Sequence, residues 1–319
     1  MTKKITRRSF IKKSTTIGVG SMAAGNIVAG MRALLPSFAS ASENIDVSVV
    51  QGEDYFKNTI KAVEQLGGIS KFVAKGSKVA ILPNPHSPNP GAYTKPEILK
   101  ATIQMCKKAG AKEINCLTQL GMELWEMTGL KKVVDEEGVN LLIADSREED
   151  EFILKRVPKG MNLKETRIMK AYYENNVFIN MQTAKDHIGN KFTGTLKNLM
   201  GINFGPDNEK CHNSKPIQSA SPDDIRFLDE CIADLNTIIE DHLCIVDATE
   251  ILITNGPNGP GKILKPQKVV AGTDRVAIDA YCCSLWGLIG EEIIAIKKAY
   301  EHNLGEINLN KIRIKEIRI

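Results

Sequence analysis

The chain has 319 residues, of which 42% are hydrophobic and 25% are charged, and its formal net charge is +4. This composition excludes a fibrous or wholly disordered protein and supplies enough apolar side chains for a large core. Seven of the 42 basic residues lie in the first 41 residues, which contain no acid, so the remainder carries 35 basic and 38 acidic residues. That weakly acidic remainder gives no reason to expect nucleic acid as a partner.

The first 41 residues have the pattern of an export signal. A twin-arginine sequence at residues 6–12 precedes a Gly- and Ala-rich apolar run at 17–30 and an A-x-A sequence at 39–41. We predict a twin-arginine signal at residues 1–41, the twin-arginine translocase as a partner during export, and the periplasm or cell envelope as the destination. A basic, disordered terminus and an uncleaved anchor are the alternatives. The apolar run is too short and Gly-rich to predict a stable membrane span after cleavage.

Residues 42–319 predict a single α/β domain, because apolar runs of strand length alternate with amphipathic helical patterns. The predicted strands are 47–50, 78–82, 113–117, 140–144, 176–181, 243–246, 268–271 and an edge strand at 311–319. The predicted helices are 55–66, 96–109, 123–134, 223–240 with Ser221 as its cap, 274–286 and 291–302. Segment 163–172 is either a helix or part of a longer connection.

This alternation predicts a mostly parallel sheet with helices on both faces. In such sheets, sites form where loops leave the carboxyl ends of the strands. Three loops occupy such positions, at residues 83–95, 182–215 and 249–266. Export by the twin-arginine route adds an expectation of a cofactor acquired before export, without naming it.

The first loop, PNPHSPNPGAYTKPE at residues 83–97, is stiffened by prolines. Gly91 permits a close backbone approach, and we predict that Thr94 caps the following helix. The free N–H groups at that helix start would then form an anion site. The alternative is a proline-stiffened turn without a ligand.

The second loop contains Lys185, His187 and His212. Lys185 and His187 are two residues apart and face the same side of an extended chain. Histidine exchanges protons near neutral pH and is a common metal ligand, so two histidines could act as acid and base on opposite faces of a substrate. The alternative is a set of solvated polar loop residues.

Further along this loop, Thr193-Gly194 predicts the start of a helix that runs through Lys197-Asn198. A lysine in this position could bind an anion, or act as a nucleophile if its pKa is lowered. The third loop, NGPNGPGK at 255–262, lacks the Walker pattern and is either a backbone lid over a ligand or a structural turn.

The seven cysteines show no C-x-x-C spacing. Their scatter and odd number do not predict a disulfide framework, and several lie in apolar segments typical of buried free thiols. A ferredoxin-type iron–sulfur cluster is likewise not expected, because its closely spaced cysteine run is missing.

These loops resemble the domain-of-unknown-function 362 family. The matching segments are PNPHSPNPGAYTKPEILKA, AGAKEI, KDH, FTGTLKNLMG, NGPNGPGK and TDRVAIDA, which occur in the family's order over about residues 78–290. The family often has a lysine just before the first Pro-Asn, where this chain has Leu82. The anion contact assigned to that lysine is therefore not expected here.

A more distant likeness is to the catalytic domain of nickel-pincer lactate racemases. The order of a histidine, a Gly-containing turn, a lysine and a later histidine is similar. This likeness implies that Lys197 tethers a cofactor, His212 binds the metal and His187 is an acid/base. The segment TQLGMELWEMTG contains no counterpart of the racemases' first catalytic histidine.

We therefore predict an exported, metal- or cofactor-dependent enzyme that acts on a small anionic hydroxy- or oxo-acid. The alternative is a non-catalytic protein that binds or delivers a metal or anion in the cell envelope. Catalytic roles are predicted for Lys185, His187 and Lys197, and metal binding for His187 and His212. The predicted cofactor-binding residues are Lys197, Asn198, Gly194, Gly256 and Gly259.

Overall fold

The computed structural model describes residues 45–319, and the predicted export signal and its cleavage site lie outside them. The strands are β1 (Val47–Gln51), β2 (Lys78–Leu82), β3 (Glu113–Thr118), β4 (Asn140–Ile143), β5 (Phe152–Arg156), β6 (Glu165–Met169), β7 (Val177–Thr183), β8 (Leu243–Ala248), β9 (Ile251–Leu252), β10 (Ile263–Leu264), β11 (Lys268–Gly272) and β12 (Ile314–Arg318). The α-helices are α1 (Tyr55–Gln65), α2 (Pro96–Lys108), α3 (Met122–Met127), α4 (Leu130–Glu137), α5 (Lys170–Tyr173), α6 (Thr195–Asn198), α7 (Gly205–Cys211), α8 (Pro222–Asn236), α9 (Arg275–Ser284) and α10 (Ile294–Glu301).

An eight-stranded sheet organises these elements in the order β12-β1-β11-β8-β7-β2-β3-β4. Within this sheet only β11 runs against the other strands, since it pairs antiparallel with both β1 and β8. The remaining neighbours pair in parallel. The predicted mostly parallel α/β fold is confirmed.

Helices cover both faces of the sheet, as predicted. Successive residues of a strand point to opposite faces, so Val79 and Ile81 pack with helices α1, α2 and α4 on one side. Ala80 and Leu82 pack with α8, α9 and α10 on the other. Burial on both sides explains why β7 and β8 are buried along their whole length.

The order in which strands are added to the sheet reverses at β2. Strands β3 and β4 extend the sheet on one side of β2, whereas β7 and β8 lie on its other side. The carboxyl ends of β2 and β7 therefore flank a crevice at the position where ligands bind in open α/β sheets.

One predicted helix differs from the structure, and the segment left open at 163–172 is a strand followed by a short helix. The helix expected at 123–134 is divided into α3 and α4 at Gly129, whose φ of 75° is left-handed and interrupts a helix. Segment 163–172 contains strand β6, which forms a hairpin with β5, followed by the short helix α5. Its buried Thr166 and Ile168 alternate with more exposed neighbours, which is the period of a strand.

The predicted cap of α8 and the predicted edge strand are confirmed. Ser221 caps α8: its hydroxyl accepts from the Asp224 N–H, and the Asp224 carboxylate accepts from the Ser221 N–H, a reciprocal capping box. Strand β12 lies at the edge of the sheet beside β1. All seven cysteines are free and buried. Between residues 45 and 319 no helix is both long and apolar enough to cross a bilayer.

Candidate functional site

A cavity of about 390 Å³ opens at the carboxyl ends of β2, β3 and β7. It is enclosed by the first two predicted loops, by the turn after β3 and by α7. Five predicted site residues line it: Lys185, His187, Lys197, Asn198 and His212. The predicted glycines Gly194, Gly256 and Gly259 are not among the described residues that line it.

The first loop is closed by Thr94. The Thr94 hydroxyl accepts from the Asn84 N–H at 3.1 Å, and the Thr94 N–H donates to the Asn84 carbonyl at 3.0 Å. Lys95, not Thr94, is the N-cap of α2. The prediction of a Thr94 cap is wrong, because its hydroxyl is used to close the loop. The Lys95 N–H donates to the buried Asp247 carboxylate at 2.8 Å, so a protein carboxylate already occupies this helix start.

Lys185 is held rigidly in the wall of the cavity. Only 1% of its surface is exposed, and its ammonium donates to Asn84 Oδ1 at 2.9 Å and to the Ala92 carbonyl at 2.7 Å. Its backbone pairs with Thr193. Burial, with a smaller contribution from the charge of Lys197, lowers the pKa of Lys185 to about 7.

The turn that carries Lys197 and Asn198 is anchored from behind by Asp279 of α9. The Asp279 carboxylate accepts from the N–H groups of Thr195 and Leu196 at 2.7 and 3.0 Å and from the Thr195 hydroxyl at 2.9 Å. A Cβ atom on Gly194 would lie 2.3 Å from Asp279 Oδ1. Gly194 therefore gives this carboxylate access to the start of α6.

The Asn198 amide connects α6 to the sheet. Its Nδ2 donates to the Leu82 carbonyl at 3.0 Å and to Asn180 Oδ1 at 2.8 Å. Its Oδ1 accepts from Gln182 Nε2 at 3.1 Å and from Asn84 Nδ2 at 3.4 Å. Both ends of the amide are thus engaged within the protein, and Asn198 fixes the position of its neighbour Lys197.

Lys197 differs from Lys185 in having no fixed partner. Its ammonium has no hydrogen bond or ion pair with any residue in the described range 45–319. The side chain keeps part of its surface open. Burial lowers the pKa of Lys197 to about 8, and the nearby Asp229 and Cys211 oppose this shift. At neutral pH Lys197 is mostly charged but has an accessible neutral form.

In both predicted histidines Nδ1 is hydrogen-bonded to the backbone, and Nε2 is left as an acceptor. Nδ1 of His187 lies 2.8 Å from the Ile188 carbonyl, and Nδ1 of His212 lies 2.9 Å from the Asn208 carbonyl. A carbonyl only accepts, so both Nδ1 atoms must donate and both Nε2 atoms carry a lone pair. Burial and the Lys197 charge lower the pKa of both rings, for His187 to about 2.

His86 is a third histidine in the cavity wall, which the sequence did not assign to the site. Burial and then the charges of Lys185 and Lys197 lower its pKa to about 4, while a hydrogen bond with Asn258 opposes the shift. It reaches the cavity from the proline-rich loop, about 100 positions before His187. The sequence signal was its place at the carboxyl end of a predicted strand.

The third loop connects the first two loops. The Asn258 carbonyl accepts from the Ser87 hydroxyl at 2.9 Å and from Asn89 Nδ2 at 2.7 Å. The Gly256 N–H donates to Asp186 Oδ2 at 2.9 Å, and a Cβ on Gly256 would lie 1.8 Å from the Asp186 carbonyl oxygen. Gly259 adopts a left-handed φ of 71°. Gly256 thus permits close backbone packing, Gly259 permits the left-handed turn, and Pro257 lines the cavity.

Within residues 45–319, no three His, Cys, Asp or Glu side chains lie close enough together to hold a metal ion. A metal bound by His187 and His212 would need further ligands from a bound molecule. The metal role of these two histidines stays a prediction, and the function proposed below does not depend on it.

Replacing Gly194 by alanine tests the packing behind α6. The added methyl group would overlap Asp279 Oδ1, so we expect Gly194→Ala to lower the free energy of unfolding by about 1–3 kcal/mol in urea titrations. Gly121→Ala is the matched control, because nothing lies within 4 Å of that position. Equal stability of the two variants would contradict the close approach of Asp279.

The pKa of Lys197 predicts a pH-dependent stability. Between about 8 and the ordinary value of 10.5 the unfolded chain binds more protons than the folded one, so stability should rise with pH in this window. Lys197→Met removes this dependence. We expect the variant to exceed the wild type in unfolding free energy by on the order of 2 kcal/mol at neutral pH, and the difference to shrink towards pH 10.5.

Urea unfolding at neutral and alkaline pH measures this difference. Lys191→Met, at an exposed position of the same loop, serves as the control and should change stability by less than about 0.5 kcal/mol. A Lys197→Met variant that is less stable than the wild type at every pH would show that the ammonium is not destabilised by burial.

Comparison with solved structures finds a distant similarity. The lactate racemase apoprotein from Thermoanaerobacterium thermosaccharolyticum is similar in structure, with a TM-score of 0.48 and 15% identity over 76% of this chain and 57% of that one. This chain thus corresponds to less than two thirds of that protein, and similarity at this level transfers no activity. The comparison with curated proteins finds no match.

The family comparison covers the part of the chain that builds the cavity. The model of the family described as "Domain of unknown function (DUF362)" matches residues 79–284, which is more than half of the chain. This range extends from β2 to the last residue of α9 and contains every residue that lines the cavity. The chain belongs to the domain-of-unknown-function 362 family.

Proposed function

We propose that this protein is an enzyme that binds a small carboxylate ligand in the cavity and moves a proton to and from one of its carbon atoms. One observation carries the proposal. The Lys197 amine and the Nε2 atoms of His187 and His212 have no protein partner in the described residues and share one cavity.

The charges around the cavity favour an anion. Lys185 and Lys197 provide the cationic groups, whereas Glu209, the one carboxylate that residues 45–319 contribute to the wall, is paired with Arg147 at 2.5 Å. A ligand carboxylate would form an ion pair with the Lys197 ammonium and offset the free-energy cost of burying its charge. The volume of about 390 Å³ is near the lower end for small-molecule sites, which suits a ligand of a few carbon atoms.

The histidines supply the acid/base chemistry. Each Nδ1–H is held by a backbone carbonyl, which fixes the tautomer and directs the basic nitrogen away from that carbonyl. Both rings are neutral without ligand, so both start as bases. A bound anion would raise the pKa of a neighbouring imidazole, so that it can accept a proton from carbon and return it.

We further propose that the protein works in the periplasm or cell envelope. The twin-arginine pattern, the apolar run and the A-x-A sequence support this location. Cell fractionation of the wild type and of an Arg7→Lys, Arg8→Lys double variant tests the proposal. The wild type should appear in the envelope fraction and the double variant should stay in the cytoplasm.

Deuterium incorporation tests the enzymatic function. The protein is incubated in D₂O with lactate, glycolate, pyruvate or glyoxylate, and NMR follows the carbon-bound hydrogens. We expect exchange in at least one of these acids, and we expect His187→Gln to slow it by about 10²- to 10⁴-fold because the base is lost. His302→Gln is the control, since His302 pairs with Asp234 outside the cavity wall.

The same experiment distinguishes an enzyme from a non-catalytic protein that binds or delivers the acid. Tight binding of these acids without exchange would replace the enzyme proposal by the delivery alternative. Neither binding nor exchange with any of the four acids would contradict both. Unfolding curves of the variants confirm that a loss of exchange is not a loss of fold.

A further inference from the structure

The two lysines of the cavity are held in opposite ways. Lys185 is fully buried, and two oxygen atoms at 2.7 and 2.9 Å fix its ammonium. Lys197 is fixed only through its backbone, by the anchored turn of α6, while its amine has no partner among residues 45–319. Lys197 is therefore the amine that can move toward a bound molecule.

The groups around Lys197 do not neutralise it. Asp229 is the nearby carboxyl, but its Oδ1 accepts from Asn190 Nδ2 at 2.6 Å, and no ion pair joins Asp229 to Lys197 in the described part of the chain. Burial raises the pKa of Asp229 to about 7, so this group is only partly charged at neutral pH. The Thr193 hydroxyl in the same wall is 4% exposed and has no hydrogen-bond partner among the described residues.

A lysine whose amine is desolvated by burial can act as a nucleophile. Burial in the cavity wall desolvates Lys197, and the free Nε2 atoms of two histidines share the cavity with its amine. A lysine that served only to clamp an anion would not need two bases in the same cavity. The lowered pKa of Lys197, about 8, agrees with this geometry.

We infer that Lys197 forms an imine with the carbonyl group of a small 2-oxo acid bound in the cavity. The inference deepens the proposed function and rests on it, because it assigns the ligand class among small carboxylates. The nitrogen lone pair adds to the carbonyl carbon, and the carbonyl oxygen takes up the two amine hydrogens and leaves as water. One proton then charges the imine, and no oxidant or reductant takes part.

The imine would create an acidic C–H bond from which the histidines can remove a proton. A protonated imine withdraws electrons from the adjacent carbon, so a C–H bond there becomes acidic. Nε2 of His187 or His212 can accept that proton and return it, which restores the imine. Addition of water to the imine then releases the 2-oxo acid.

Reductive trapping tests this inference. The purified protein is incubated with pyruvate, and in parallel with glyoxylate, in the presence of sodium cyanoborohydride, which reduces imines to stable amines. Peptide mass mapping should place a carboxyethyl group from pyruvate on Lys197. We expect labelling there at least about tenfold faster than at exposed lysines, because those amines are protonated at neutral pH.

Matched variants identify the nitrogen. Lys197→Arg keeps a positive charge but cannot form the imine, so the label should disappear while binding of the acids is retained. Lys191→Arg changes an exposed lysine in the same loop and should leave labelling of Lys197 unchanged. Labelling of Lys185 instead, or equal labelling of all lysines, would overturn the assignment.

Different results would contradict imine formation at Lys197 and the proposed acid/base function. If pyruvate and glyoxylate bind, or exchange deuterium, but neither labels Lys197, the imine is wrong and the acid/base function stands. If no small carboxylate binds or exchanges, the proposed function fails and the imine fails with it. Unfolding curves of Lys197→Arg establish that the variant is folded.

Discussion

The geometry of the cavity depends on the side-chain amide of Asn198. Its Nδ2 reaches the end of β2 and the interior of β7, while its Oδ1 is held by Gln182 and by the first loop. Buried amides are costly unless each end is paired. A shift of α6 would therefore break several bonds at once, and this dependence keeps Lys197 in place.

The Asp279 carboxylate holds α6 from the side opposite the sheet. It holds the N–H groups at the start of α6 through contacts that only a glycine at position 194 permits. Burial raises the pKa of Asp279 to about 7, so its three donors also serve to stabilise its charge. The lysine-bearing turn is thus held between the sheet and α9, as precise placement of a reactive group requires.

The site combines rigid surroundings with groups that the protein leaves unsatisfied. Two lysines are buried without a carboxylate partner, and three histidines are kept neutral beside them. Such an arrangement costs stability, because the ammonium groups lose water without gaining an opposite charge. Perturbed groups gathered in one cleft are typical of functional sites, where a bound ligand supplies the missing partner.

The sequence by itself determined the order of strands and helices, the mostly parallel sheet and the second loop as a place for Lys185, His187, Lys197 and His212. These features follow from local periodicity and from the rule that sites form at the carboxyl ends of strands. It left segment 163–172 open between a helix and a longer connection, whereas pairing with β5 makes residues 165–169 a strand. Only the tertiary structure decided that His86 joins the cavity and that Asp247 takes the start of α2. It also decided that the Lys185 ammonium is fixed, while that of Lys197 has no partner among residues 45–319. The physical reason is that hydrogen bonds between residues about 80 to 150 positions apart make these distinctions, and spacing along the chain does not specify such pairs.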